Sequence, residues 1–191
     1  MKKRDIILKR VFDICLSILG LIVLWWLIVL LAFIAFLDTR QKGIFNQIRV
    51  GKEGRLFNIY KIRTIKTNSK NSERISSLGK FLRKSKLDEL PQLINVLIGD
   101  MSFVGPRPDL KGFANNLSGE DRIILTVRPG ITGIASLYFR DEEATLNQKR
   151  NPEKYNRTVI WPKKVELNKA YIENYSFIND LRIILRTILE V

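Results

Sequence analysis

The alternation of apolar and polar positions changes period several times along the chain. From Ile14 to Leu37 no charged residue occurs over 24 positions. As a helix this run would extend about 36 Å, enough to cross the hydrocarbon core of a bilayer. It is too long for the apolar core of a signal peptide, and no small-residue cleavage site follows it. The sequence therefore predicts a basic segment at 1–13, a membrane-inserted helix at 14–37 and a single domain at 38–191. After the apolar run the period falls to two. Ile44–Val50 and Leu56–Thr64 read as strands of a β-hairpin turning at Gly51-Lys52-Glu53-Gly54. Lys61 and Arg63, two positions apart, are expected on one face, with Tyr60 and Ile62 on the other. Thr67 to Ser77 is polar and reads as a mobile loop. Leu78, Phe81 and Leu82 against Lys80, Arg83 and Lys84 predict a short basic amphipathic helix, suited to lying on head groups or packing on the core.

Pro91 is tolerated in a first helical turn, so a helix is expected to start near Asp88, with Asp88 as its N-cap and Leu90, Leu93, Ile94 and Leu97 as its buried face. Farther on, a charged helical stretch is expected from Arg140 to about Lys154. A helix over 163–175 follows, opened by Trp161-Pro162. A last amphipathic helix carries Phe177, Ile178, Leu181, Ile184, Leu185 and Ile188 on one face, which could meet the core or a membrane interface. The fold class these elements define is α+β, mainly helical. A membrane-embedded helix precedes one small domain with a short hairpin and interfacial amphipathic helices.

Charge sets the expected topology. Lys2, Lys3, Arg4, Lys9 and Arg10 precede the apolar run, and Arg40, Lys42, Arg49, Lys52 and Arg55 follow it. Retention of basic flanks on the cytoplasmic side favours a re-entrant helix over a crossing one. Ser17 and Gly20 would permit a kink, and Trp25-Trp26 at the midpoint would bond the freed carbonyls. The net charge of +14 predicts an anionic partner: nucleic acid, a lipid head group or a phosphorylated substrate. The interleaved aromatics and recognition-helix pattern of nucleic-acid binders are missing, so no nucleic acid is expected.

The chain has no His and one Cys, Cys15, which excludes His-dependent triads, histidine shuttles and ordinary zinc sites. The Gly51–Gly54 turn lacks nucleotide-loop spacing. What remains is the carboxylate pair Asp88-Glu89, set between Arg83, Lys84 and Lys86 and the Pro/Gly-rich stretch Gly99 to Pro108 that carries Arg107. An N-cap position would favour the ionised, nucleophilic form of Asp88. A second Pro-Gly turn follows Arg128. Two rigid loops presenting Arg beside two carboxylates read as an anion pocket. Lys61 and Arg63 are further phosphate-clamp candidates. A membrane-tethered protein that binds anionic lipid or nucleic acid without chemistry is the alternative, and it leaves the Asp-Glu pair without a role.

Together these residues resemble the monotopic phosphoglycosyl transferases, the bacterial sugar transferase family that begins lipid-linked polysaccharide and glycoprotein assembly. The resemblance runs through Lys9-Arg10-Val11-Phe12-Asp13, Phe45 to Gly51, Tyr60-Lys61-Ile62-Arg63-Thr64, Leu87 to Gly99, Asp100 to Pro108 and Arg128 to Gly133. It implies transfer of a sugar phosphate from a UDP-sugar to undecaprenyl phosphate with Mg²⁺, on the cytoplasmic face of the bacterial inner membrane. Asp88 would be the nucleophile and the metal ligand, and Glu89 its catalytic partner. Lys61, Arg63, Arg83, Pro106, Arg107, Pro108 and Arg128 would bind substrate. The chain departs from the family at two places. Trp25-Trp26 stand where the family breaks its re-entrant helix at Ser-Pro. Ile134-Ala135-Ser136-Leu137-Tyr138-Phe139-Arg140 replaces the Trp-Ala-Gln-Val-Asn-Gly-Arg of many members, so sugar specificity does not carry over.

Overall fold

In the computed structural model, which describes residues 1–67 and 73–189 apart from the side chains of Asn115 and Glu143, helix α1 runs uninterrupted over Lys3–Thr39. It ends where Arg40 adopts a left-handed φ of 54° and donates its N–H to the Phe36 carbonyl. One stripe of α1 faces protein: Lys9, Asp13, Ser17, Ile28, Leu31, Ala35 and Thr39 are buried, spaced as a single helical face requires. The remaining faces, including Ile22, Val23, Val29 and Phe33, are exposed apolar surface. The expected kink does not occur. The Ser17 hydroxyl bonds the Ile14 carbonyl within the helix. At Gly20 a Cβ would come within 3.1 Å of Leu93, so this glycine serves packing instead. Trp25 and Trp26 turn outward, 61% and 54% exposed. With no proline in the run, no backbone donor is removed and helical bonding continues.

Strand β1 (Ile44–Val50) pairs antiparallel with β2 (Leu56–Ile62), Ile44 facing Ile62, as the alternation predicted. The chain returns from α1 so tightly that a Cβ on Gly43 would collide with the Ala32 carbonyl. Strands β3 (Ile65–Thr67) and β4 (Glu73–Ile75) form a second antiparallel pair, β3 ending where the expected loop begins and β4 inside it. Their polar sequences, Lys66-Thr67 and Glu73-Arg74, conceal the period of two. Residues 68–72 of that expected loop lie outside the described residues. Helix α2 (Ser77–Lys84) is capped by Ser76, whose Oγ accepts from the Gly79 N–H at 2.8 Å. Leu78 and Leu82 join Ile28, Leu31, Ala35 and Ile62 in one core cluster, while Phe81 is left exposed.

The carboxylate pair does not cap a long helix. Leu87–Glu89 is a 3₁₀ turn entered through Lys86 at φ 58°, and helix α3 spans Gln92–Ile98 with Pro91 at its cap. Its buried residues are Gln92, Leu93, Asn95 and Val96, whereas Ile94 is 40% exposed. Asn95 causes the rotation from the expected face. Its Oδ1 accepts from the Tyr60 N–H at 3.0 Å and its Nδ2 donates to the Asn58 carbonyl at 2.7 Å, tying α3 to β2. Short strands β5 (Ser102–Val104) and β6 (Gly130–Thr132) pair in parallel. At their ends Gly105 and Gly130 bring backbone onto backbone: the Gly105 N–H bonds Thr132 O and the Gly130 N–H bonds Pro106 O. A Cβ on either glycine would sit within 2.5 Å of the opposite main chain.

Helices α4 (Ile134–Tyr138), α5 (Glu142–Asn147) and α6 (Pro152–Tyr155) lead through a π-helical turn at Asn156–Ile160 into α7 (Trp161–Glu173) and then α8 (Phe177–Leu189). On α8 the expected apolar face is the outer one: Ile178, Leu181, Leu185 and Ile188 are exposed and Asp180 and Ile183 are buried. Asp180 turns inward because it accepts from Lys9, Tyr171 and Tyr175, binding α8 and α7 to the start of α1.

Candidate active site

Glu89 is the electrostatic centre of the site. Its Oε1 accepts from Lys61 Nζ at 2.9 Å and from Arg107 Nη2 at 2.6 Å, while its side chain is only 8% exposed. Burial opposes the charge, yet the Arg107 and Lys61 charges outweigh it and hold the carboxyl far below the usual range. Glu89 is therefore a fixed anion of low basicity. Asp88 behaves oppositely. It is 6% exposed, makes no hydrogen bond among the described residues, and has its pKa raised, first by burial and next by the Glu89 charge. Lys61, Lys86 and Arg83 pull the other way. The expectation of an ion favoured by a helix N-terminus is thus corrected: Asp88 sits in a 3₁₀ turn ahead of α3, and its environment makes it a more basic carboxylate than usual. Such a group, once ionised, is the better nucleophile of the pair.

Each site residue is placed by scaffold. β2 delivers Lys61. The interlocked Gly105 and Gly130 backbones fix the loop carrying Arg107, and Pro106 and Pro108 are buried in that loop. They flank Arg107 on both sides. Arg83 donates Nε to the Thr64 hydroxyl at 2.9 Å and adds its charge near Asp88. Two expected members lie elsewhere. Arg63 bonds the Lys42 carbonyl and stacks on Phe45, fastening the β-hairpin to the end of α1. Arg128 donates Nε to the Gly99 carbonyl at the C-terminus of α3.

A cavity of about 790 Å³ opens beside this centre. Lys86, Glu89 and Arg107 line one part of its wall, and Trp161, Lys164, Asn168, Phe139, Glu142 and Thr187 line another. Asp88 stands between Lys86 and Glu89 in the turn but is not itself on the wall. Lys164 is ion-paired to Glu142 at 2.6 Å. Asp109, also lining the cavity, has its pKa pushed up to about 6 by burial, against the opposing charges of Lys164, Arg49 and Arg107. Asn168 Oδ1 is buried without a hydrogen-bond partner. These cavity residues were not identified from the sequence. Phe139, Glu142, Trp161, Lys164, Asn168 and Thr187 lie 50 to 98 positions downstream of Glu89, and no local motif marks them as site residues. The cavity has the size and the mixed aromatic and polar lining of a small-molecule site, with cations at its carboxylate end suited to phosphate.

The fold sets one long apolar helix beside a charged centre and a cavity of small-molecule size, and comparison identifies the family. Residues 4–191 match the profile described as bacterial sugar transferase, and the chain belongs to that family. The resemblance to the phosphoglycosyl transferases drawn from the motifs is borne out at this level. Among its relatives is "Uncharacterized sugar transferase EpsL" of Bacillus subtilis, 34% identical over 193 residues, covering 97% of this chain and 87% of that protein. The "Undecaprenyl-phosphate galactose phosphotransferase" of Salmonella typhimurium is 32% identical over 97% of this chain, which spans 40% of that longer protein. The "UDP-glucose:undecaprenyl-phosphate glucose-1-phosphate transferase" of Klebsiella pneumoniae is 33% identical over 96% of this chain and 40% of its own length.

Proposed function

We propose that this protein transfers a sugar phosphate from a UDP-sugar to undecaprenyl phosphate in two displacements at phosphorus. Asp88 attacks the sugar-linked phosphorus of the donor, the bond to UMP breaks, and UMP leaves with the electron pair. A phosphate oxygen of the lipid then attacks the same phosphorus. The aspartyl bond breaks, regenerating the carboxylate and leaving a lipid diphosphate sugar. The observation that carries this reading is the divergence of the two adjacent carboxylates: Glu89 is fixed as an anion by Lys61 and Arg107, while Asp88 is unbonded among the described residues and more basic. Two like groups driven apart in this way take different roles. A diphosphate gripped by Lys86 and Arg107 would lie against the Asp88-Glu89 turn, and these cations offset the repulsion of carboxylate by phosphate. Glu89 is too weak a base to take a proton and instead keeps Lys61 and Arg107 in position.

Mg²⁺ fits this arrangement. The Asp88 carboxylate has no competing hydrogen bond among the described residues, and an ion that takes one or two carboxylates plus phosphate oxygens needs no all-protein cage. No group of three acidic, Cys or His side chains able to form such a cage occurs among the described residues. Asp88 would hold the ion, which would supply neutralisation of the donor's phosphate charge.

The membrane arrangement we propose is supported by α1. Both its ends are tied to the same domain: Lys9 to Asp180 and Arg10 to the end of α3 at one end, Asp38 to Lys66 at the other. A helix attached to one body from Lys9 to Asp38 cannot leave that body on one side of a bilayer and emerge on the other. We infer that it inserts without crossing, its Trp25 and Trp26 face in lipid, with the exposed apolar face of α8 at the interface and the domain on the cytoplasmic side of the inner membrane. Incubation of the full chain with labelled UDP-sugars and undecaprenyl phosphate tests the activity. UMP and a labelled lipid are expected, whereas binding of either substrate without these products would overturn it.

A further inference from the structure

A second cavity, of about 230 Å³, lies under the first turns of α1 and is lined by Ile6, Arg10, Lys52, Val127, Arg128 and Tyr171, among others. Its charges are unbalanced. Lys9, which also borders it, has its charge met by Asp180, and Asp13, bonded to the Ser102 hydroxyl and the Phe103 N–H, is the one acid among the described lining residues, set against Arg10, Lys52 and Arg128. Arg10 and Arg128 face carbonyls instead. Arg10 donates Nη1 to Val96 O at 2.7 Å and Nη2 to Leu97 O at 2.8 Å, and Arg128 donates Nε to Gly99 O at 2.7 Å. These oxygens form the C-terminal end of α3, which carries a fraction of one negative charge, about half at most. Two full positive charges meet it.

The two guanidiniums are also crowded. Both come within 4 Å of the point where Gly99 would carry a Cβ, Arg10 Nη2 at 3.3 Å and Arg128 Nε at 3.9 Å. Burial, and then the Arg128 charge, lower the pKa of Arg10, with Asp13 opposing. Lys52 adds a third cation whose partner, Glu53, lies 3.6 Å away and is more than half exposed. Like charges held this close are stabilised by an anion between them. Ile6 on the wall and exposed Ile7 and Val11 on the same turns of α1 supply apolar surface next to the cations.

We propose that this cavity binds the phosphate of an anionic lipid head group, held by Arg10, Arg128 and Lys52 beside the membrane helix. The site is separate from the carboxylate centre and does not depend on the proposed transfer reaction. It is tested on the full-length protein in neutral detergent by the thermal unfolding midpoint, titrated with short-chain phosphatidylglycerol, phosphatidylcholine or inorganic phosphate. A saturable rise with phosphatidylglycerol and none with phosphatidylcholine is expected. Lys52→Gln should weaken the apparent affinity about 3-fold and Arg128→Gln about 10-fold. The same variant dependence with inorganic phosphate alone would keep the phosphate site and assign it to the free ion. Equal responses to the two lipids, or phosphatidylglycerol affinity unchanged in both variants, would overturn the proposal. Should Arg128→Gln fail to fold, Lys52→Gln decides, because Lys52 is partly exposed and is ion-paired to the exposed Glu53.

Discussion

Replacing Arg107 by Met tests whether Glu89 is held by charge. Glu89 is 8% exposed at the side chain and receives Arg107 at 2.6 Å and Lys61 at 2.9 Å. At the effective dielectric constant of a protein surface, each contact carries about 4 kcal/mol of attraction before desolvation is subtracted. The Arg107 side chain is 44% exposed, so solvent screens its share. Arg107→Met should therefore cost about 2 kcal/mol, well below the loss for a fully buried pair. That corresponds to a fall of roughly 4–8 °C in unfolding midpoint for a chain of this size. In a Glu89→Gln background the charge that Arg107 neutralises is gone, and the same change should cost under about 0.5 kcal/mol. Thermal melts of the four proteins in one detergent complete the cycle. The double variant should recover stability over Arg107→Met without recovering turnover. An equal cost of Arg107→Met in both backgrounds would refute the ion-pair account of Glu89 and leave Arg107 as packing alone.

Asn95→Leu keeps the branched shape but strands the Tyr60 N–H and the Asn58 carbonyl, so a loss of about 2–4 kcal/mol in denaturant melts is expected; a neutral result would mean that β2 does not depend on α3. For Asp109, a folded pKa of about 6 against 3.8 means that the native state binds more protons than the unfolded chain between those values. Stability then falls as pH rises through that window. Asp109→Asn should raise the unfolding midpoint at pH 8, by about 1–3 kcal/mol of stability, with the gain vanishing below about pH 4; a pH-independent difference would contradict this. For topology, single cysteines at Lys3 and Lys42 in a Cys15→Ser chain should both resist impermeant thiol reagents added to intact cells, and labelling at Lys3 alone would establish a crossing helix.

How far the sequence revealed the fold depended on whether the signal was local. The charge-free run, the β-hairpin at Ile44–Ile62 and the Trp161-Pro162 helix start were legible because each rests on contiguous period or turn chemistry. The faces of α3 and α8 were not. On both, polar side chains turned inward, Asn95 to the β2 backbone and Asp180 to Lys9 and two tyrosines, and Ile94 on α3 and Ile178, Leu181, Leu185 and Ile188 on α8, which periodicity assigned to a buried face, are exposed. A partner more than thirty residues away sets each face, and period cannot register it. The carboxylate pair, Lys61, Arg83 and Arg107 were found by charge and by rigid flanking turns. Arg63 and Arg128 have the same chemistry in the sequence, yet backbone carbonyls claim them. Asp109, Lys164 and Asn168 reach the cavity through tertiary packing alone.

The central claim is that Asp88 carries the sugar phosphate covalently. Its most direct test is mass analysis of the Asp88 peptide after the full-length protein meets a UDP-sugar without lipid acceptor. A peptide heavier by one sugar phosphate at Asp88 is expected, with UMP released in equal amount, loss of the adduct when undecaprenyl phosphate is added, and no adduct in Asp88→Asn. UMP release that requires the lipid acceptor, with an unmodified Asp88 peptide throughout turnover, would contradict it.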